Sequence, residues 1–215
     1  MGVALLDMDG TLLARRSIDV FCEAFNLEDE LKKINERSLK IPAYKVTESI
    51  ARLLSGRGRR EMEKIFSKIP LAPGAGDFVN YLKERGFKVA IATDSFQFLG
   101  EALAKRLGVS KVYGNLLEFK GGVVTGKVLT ERRCMKIQGC REFAVCKLWF
   151  LNKLRRSTGG IAVCVGDGES DLCAFAGADI AIAYRPKIEK LKGRASAIVS
   201  NFNDAAKFLE RSLKG

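Results

Sequence analysis

Three short apolar runs in this chain each end in an acidic residue: Val3 to Leu6 in Asp7, Val89 to Ala92 in Thr93-Asp94, and Ile161 to Val165 in Gly166-Asp167. A single acid after such a run is usually a turn former. Three that converge on one edge repel one another unless a cation or a shared proton compensates them. The chain has no histidine, so the donor set is carboxylate oxygen, which suits Mg²⁺. The first acid opens Asp7-Met8-Asp9-Gly10-Thr11. This is not a calcium loop, because its glycine stands fourth instead of sixth and Ile18 occupies the twelfth place, where a bidentate glutamate is required. The spacing instead places Asp7 at a strand end and Asp9 one step beyond, with Gly10 allowing a sharp departure. Such a pair divides labour. Asp7, held ionised on a metal, acts as nucleophile, and Asp9 carries a proton as general acid and base.

The elements that must position these residues follow from periodicity. The three runs are too short for helices and read as strands buried on both faces, as parallel sheets require. Helical patterns stand between and after them, centred on Phe78 to Leu82, Phe98 to Leu107 and Leu148 to Leu154, each followed by a glycine that can serve as C-cap. Further strands are expected at Ile180 to Ala183 and Ala197 to Val199, then a last helix capped by Asn203. The alternation is that of an α/β protein with a doubly wound, Rossmann-like parallel sheet. Two stretches interrupt it. Residues 15–71 read as wholly helical and form the expected cap domain, leaving 1–14 and 72–215 as the core domain. The second, Val112 to Val128, contains Leu116 to Phe119, the turn Lys120-Gly121-Gly122 and Val123 to Val128, which together read as a β-hairpin.

Taken in order, Asp7-Met8-Asp9-Gly10-Thr11, Thr93, a lysine before the third run, and Gly166-Asp167-Gly168-Glu169-Ser170-Asp171 resemble the haloacid dehalogenase superfamily of phosphohydrolases. The inserted helical cap and the hairpin are similar to its phosphoserine phosphatase branch. The resemblance implies a phosphomonoesterase working through an aspartyl-phosphate. Asp7 would attack phosphorus, and Asp9 would protonate the leaving alkoxide and then activate water. Mg²⁺ would be held by the Asp7 carboxylate, the Asp9 carbonyl and Asp167, with Asp171 orienting its waters and the Thr93 hydroxyl holding phosphoryl oxygens. Among Lys127, Lys136, Lys147 and Lys153, the choice is Lys147. It falls in the first turn of its helix, at the catalytic edge, and Lys153 stands about 9 Å further along at 1.5 Å per residue.

Three positions depart from that branch. Asp94 and Ser170 stand where it has glycine and asparagine. Arg16 stands nine places after the nucleophile, where the branch has a glutamate that holds the substrate ammonium. An arginine repels an ammonium and pairs with a carboxylate or second phosphate, so an anionic metabolite without an amine, or a phosphorylated sugar, is expected in preference to phosphoserine. The cap arginine that reads carboxylate in the branch has Arg52 as its nearest counterpart. Two rival readings are phosphoserine phosphatase proper and a basic binding module on a degenerate scaffold.

The 215 residues carry 37 Lys and Arg against 25 Asp and Glu, a net charge of +12, which suits anionic ligands. Arg57, Arg59 and Arg60 with Arg52, Lys64 and Lys68, and Arg132, Arg133, Lys136, Arg141, Lys147, Lys153, Arg155 and Arg156, read as solvated helix faces in preference to a nucleic-acid surface. They lack the interleaved aromatics that nucleic-acid stacking needs. Gly56-Arg57-Gly58 lacks the third glycine of a dinucleotide loop. No apolar run reaches the roughly 20 residues of a membrane helix, and Asp7 comes too early for a signal peptide, so a cytoplasmic location is expected. The six cysteines form no C-x-x-C pair and read as ordinary buried or reduced thiols.

Overall fold

The computed structural model describes residues 2–131, 134, 135, 137 and 139–214. After β1 (Gly2–Leu6) come four helices: α1 (Ser17–Phe25), α2 (Glu28–Ser38), α3 (Ala43–Leu53) and α4 (Arg59–Ser67). The chain continues through α5 (Ala75–Glu84), β2 (Lys88–Phe96), α6 (Gln97–Leu107), β3 (Lys111–Asn115), β4 (Leu117–Lys120) and β5 (Val123–Val128). The described residues between β5 and α7 form an irregular segment, and then come α7 (Lys147–Thr158), β6 (Ile161–Gly166), α8 (Leu172–Gly177), β7 (Ile180–Tyr184), α9 (Glu189–Lys192), β8 (Ala197–Val199) and α10 (Phe202–Lys214).

Six strands pair in the order β3-β2-β1-β6-β7-β8, every pair parallel. All five residues of β1 and all five of β7 are buried, which is why these strands read as unbroken apolar runs. Helices cover both faces. Phe78, Leu99 and Phe202 belong to the core on one face, and Leu151, Leu154 and Phe175 to the core on the other. From β1 the chain winds outward to β2 and β3, then returns to β6 on the opposite side of β1. The crevice beyond the carboxyl ends of β1 and β6 is therefore the topological switch point, where ligands bind in open sheets.

Helices α1 to α4 lie between β1 and α5, and their connections run side by side: Ala14 N–H donates to Pro70 O at 3.0 Å and Ala72 N–H to Leu12 O at 2.9 Å. Antiparallel β4 and β5 turn through Gly121 and Gly122, at φ 58° and 79°, the left-handed pair that a tight hairpin requires. This hairpin is tied to the helical insertion by Gly56 N–H to Val124 O and Val124 N–H to Arg57 O, both 2.9 Å.

Two sequence expectations are corrected. The break assigned to Val112–Val128 holds the expected hairpin at 117–128, but its first part belongs to an edge strand of the main sheet, β3. The final helix is capped by Asn201 instead of Asn203, since Asn201 Oδ1 accepts the Asp204 N–H at 2.9 Å. No helix among the described residues is long and apolar enough to cross a membrane.

Candidate active site

The end of β1 delivers Asp7 into the crevice, 4% exposed, with its N–H donating to Val165 O at 2.9 Å. Lys147, the first residue of α7 and 1% exposed, reaches between two carboxylates. Its ammonium donates to Asp7 Oδ1 at 2.5 Å and to Asp171 Oδ1 at 2.7 Å. The other oxygens of those carboxylates are also occupied. Thr11 Oγ1 donates to Asp7 Oδ2 at 3.2 Å, and the Asp167 and Gly168 amides donate to Asp171 Oδ2 at 3.2 and 3.1 Å. Burial opposes the Lys147 charge, but Asp171, then Asp7, then Asp94 outweigh it and hold the ammonium above the ordinary lysine range. Burial and the Asp7 charge raise the Asp167 and Asp171 carboxyls, opposed chiefly by Lys187 at Asp167 and by Lys147 at Asp171.

Asp9 is oriented by α1. Ser17 donates to it twice, from N–H to Oδ1 at 2.7 Å and from Oγ to Oδ2 at 2.9 Å. Burial, set against the Ser17 amide and reinforced by Asp7, raises the Asp9 carboxyl to about 7. Gly10 then turns the chain away at φ 81°, where any Cβ would lie 2.2 Å from Asp167 Oδ2. Glycine is therefore imposed by crowding as well as by conformation.

Asp7, Asp9, Asp94, Ser95 and Asp167 line one cavity of about 250 Å³ between the strand ends and the helical insertion. Oxygen atoms of Asp7, Asp167 and Asp171 lie mutually within 4.8 Å. Asp167 Oδ2 accepts no hydrogen bond of normal geometry, and its compensating charge is Lys187 Nζ at 2.6 Å. A buried carboxylate that draws a cation to its unsatisfied oxygen, in an oxygen-only donor set, fits Mg²⁺. Asp171 stands beside Asp7 and Asp167 with both oxygens engaged, by Lys147 and by the Asp167 and Gly168 amides.

Thr93 is fully buried and does not wall the cavity; its Oγ1 accepts the Ser95 N–H at 3.0 Å. Arg16 lines the cavity, half-exposed, and pairs with Asp19 at 3.3 Å. Asp94 faces inward, its carboxyl raised by burial against the opposing charge of Lys147. Arg52 is exposed, donates to Ser49 Oγ at 3.2 Å and does not reach the cavity.

Sequence reasoning missed three contributors. Lys187 follows β7 and meets Asp167. Ser17 orients Asp9. Arg141, assigned to a solvated helix face, lies on the irregular segment instead, with its side chain only 19% exposed. It lines the cavity, donates to Glu169 Oε2 and to Ile41 O, both at 2.9 Å, and also bonds Ser38 O. No local pattern could have signalled it, because its partners are 28 and 100 residues away. Arg132, Arg133 and Lys136 lie outside the described residues.

A strand-end aspartate pair, a buried lysine bridge and an acidic loop after β6, on a doubly wound sheet, define a hydrolase site of one class. The model of the haloacid dehalogenase-like hydrolase family matches residues 4–176, and the chain belongs to that family. It is 32% identical over 204 residues to an Archaeoglobus fulgidus protein named phosphoserine phosphatase, covering 93% of this chain but 56% of that relative's length. It is 30% identical over 190 residues to the Streptococcus thermophilus phosphoserine phosphatase, covering 86% of this chain and 85% of that one. A solved structure described as a phospho-aspartyl intermediate analogue of phosphoserine phosphatase superposes with a TM-score of 0.81 at 26% identity, over 96% of this chain and 97% of that one.

Proposed function

We propose that the protein is a Mg²⁺-dependent phosphomonoester hydrolase that forms an aspartyl-phosphate on Asp7. The observation that carries this reading is the placement of Asp7 and Asp9 on one cavity, each carboxylate held by separate donors. Asp7 Oδ1 is fixed by Lys147 and Oδ2 by the weaker Thr11 contact. Oδ2 is thus the oxygen freer to attack phosphorus, while Lys147 holds the other in place. Asp9, its pKa near neutrality, gives a proton to the leaving oxygen and takes one from the water that cleaves the acyl phosphate. Bound to Asp7 and Asp167, the cation would neutralise the charge of phosphate and nucleophile as they approach. The helical insertion, roofing the cavity, excludes water from the transfer. A division into core (1–14 and 72–215) and cap (15–71) agrees with the paired connections at 12–14 and 70–72. A mere binding module would have no use for this set of opposed proton and charge carriers.

The substrate is a small phosphate monoester bearing a second anionic group. Arg16, Arg141 and Lys187 give the cavity three cations, and Arg16 occupies the place from which an ammonium would have to be read. Initial rates on phosphoserine, phosphoglycolate, phosphoglycerates and sugar phosphates test both levels. EDTA-sensitive turnover of any of them supports the phosphatase, and its persistence after complete chelation refutes the metal. A kcat/KM maximum for phosphoserine refutes the anionic preference, and Arg16→Glu is expected to move the preference toward phosphoserine.

A further inference from the structure

Four of the six cysteines, scattered through 40 residues of sequence, meet on one side of the molecule. Cys134 and Cys140 lie on the irregular segment between β5 and α7, with their sulfurs 3.4 Å apart, well beyond a disulfide bond. Cys140 packs against Cys146 and Cys173, which form a small core cluster with Leu148. Cys146 is the N-cap of the twelve-residue helix α7 and Cys173 lies in α8, so two of the sulfurs sit on rigid elements and two on a loop. Cys22 and Cys164 belong to the other two core clusters.

The chemistry of this cluster is specific. Sulfurs gathered from three segments, in a chain without histidine, form a soft donor set that has nothing in common with the carboxylates of the cavity. Two of the four sulfurs stand beside backbone N–H groups. The positive end of α7 faces Cys146, and the Glu142 amide donates to Cys140 Sγ at 3.4 Å. The surrounding sequence is basic, with Arg132, Arg133 and Lys136 within two residues of Cys134, Arg141 beside Cys140 and Lys147 beside Cys146. That charge suits a site that becomes anionic. Burial and then its neighbour Cys140 push the Cys173 thiol up to about 12.

We propose that Cys134, Cys140, Cys146 and Cys173 form a structural tetrathiolate zinc site that organises the segment 129–146. Binding exchanges four thiol protons, released to solvent, for one Zn²⁺, leaving a net charge of −2 on the site. The four sulfurs are gathered but not closed. Among the described residues the only group of three or more acidic or thiol ligand atoms mutually within 4.8 Å is that of Asp7, Asp167 and Asp171. Ligation at about 2.3 Å therefore draws Cys134 and Cys140 inward onto Cys146 and Cys173, a movement of the loop and not of the core. The gain falls on the same segment that carries Arg141. Its carbonyl accepts Ala43 N–H at 2.7 Å, and its guanidinium joins Ser38 and Ile41 to Glu169. Zinc on the four sulfurs would hold that strap in place between the helical insertion and the loop after β6.

The full chain, purified under reducing conditions without chelator and loaded with zinc, tests this by metal analysis after exchange into metal-free buffer. One zinc per chain is expected, with a higher unfolding temperature than the stripped protein. In Cys134→Ser/Cys140→Ser, zinc affinity is expected to fall by about a hundredfold or more. Titration of the wild-type chain with Co²⁺ gives an answer that needs no variant. Intense sulfur-to-metal absorption with tetrahedral ligand-field bands supports the site, and weak octahedral bands alone, from the carboxylate cavity, overturn it. A loaded chain without zinc, zinc bound with unchanged affinity in the folded double variant, or a Cys134–Cys140 disulfide that persists under reduction also overturns it.

Discussion

Replacing Lys147 with methionine keeps the volume of the side chain and removes its charge, which leaves Asp7 and Asp171 buried and facing each other. Both carboxylates are less than 6% exposed and lose contacts of 2.5 and 2.7 Å. Breaking a buried pair by removing one partner costs about 3–5 kcal/mol. The higher figure is the better guide, because two acids lose one counter-charge. For a chain of this size each kcal/mol is about 2–4 °C in Tm, so a fall of about 6–20 °C is expected. The sign with pH is definite. The Lys147 pKa is raised in the folded state, so its contribution is complete below the ordinary lysine pKa and is lost only as pH rises beyond that range. Unfolding in urea at neutral pH, with metal removed, therefore reads the full effect. Adding Mg²⁺ is expected to restore part of it, by supplying positive charge to Asp7. A metal-free variant within about 1 kcal/mol of wild type, a value typical of an exposed pair, would refute the buried bridge as the element that holds the two acids together.

Three further outcomes follow from the same geometry. Asp7→Asn is expected to cut turnover below about a thousandth of wild type, since the residues of a catalytic unit fail together, while Lys147 keeps its contact with Asp171 and the fold survives; steady-state rates and circular dichroism check this. Lys187→Met is expected to raise Mg²⁺ affinity about two- to fivefold, the equivalent of an exposed ion pair of up to 1 kcal/mol, because its ammonium competes at Asp167 Oδ2; calorimetric titration without substrate measures it. Arg141→Met is expected to speed hydrogen exchange across 38–44, whose carbonyls and amides it ties down, and unchanged protection there would contradict the strap.

The strands and the strand-end acids were readable from local sequence, because each depends only on its neighbours in the chain. An apolar run of four or five residues has one buried arrangement in a parallel sheet, and whatever follows it must emerge at the carboxyl edge. Asp7, Asp9 and Asp167 were legible for that reason. Lys147 was legible from helix rise, since only the first turn of α7 reaches that edge. Family membership was legible from the ordered motifs. What depended on distant partners was not. The edge strand β3 carries no strong pattern, because its middle residues Val112 and Tyr113 are only half-buried, and it joins the sheet only by pairing with β2. Arg52 was the nearest match by sequence count, yet Arg141 reaches the cavity, because an irregular segment, and not a helix face, folds back between the insertion and Glu169. The four cysteines looked unrelated at spacings of 6, 6 and 27. Only the packing of α7 against α8, with the loop laid over both, brings their sulfurs together.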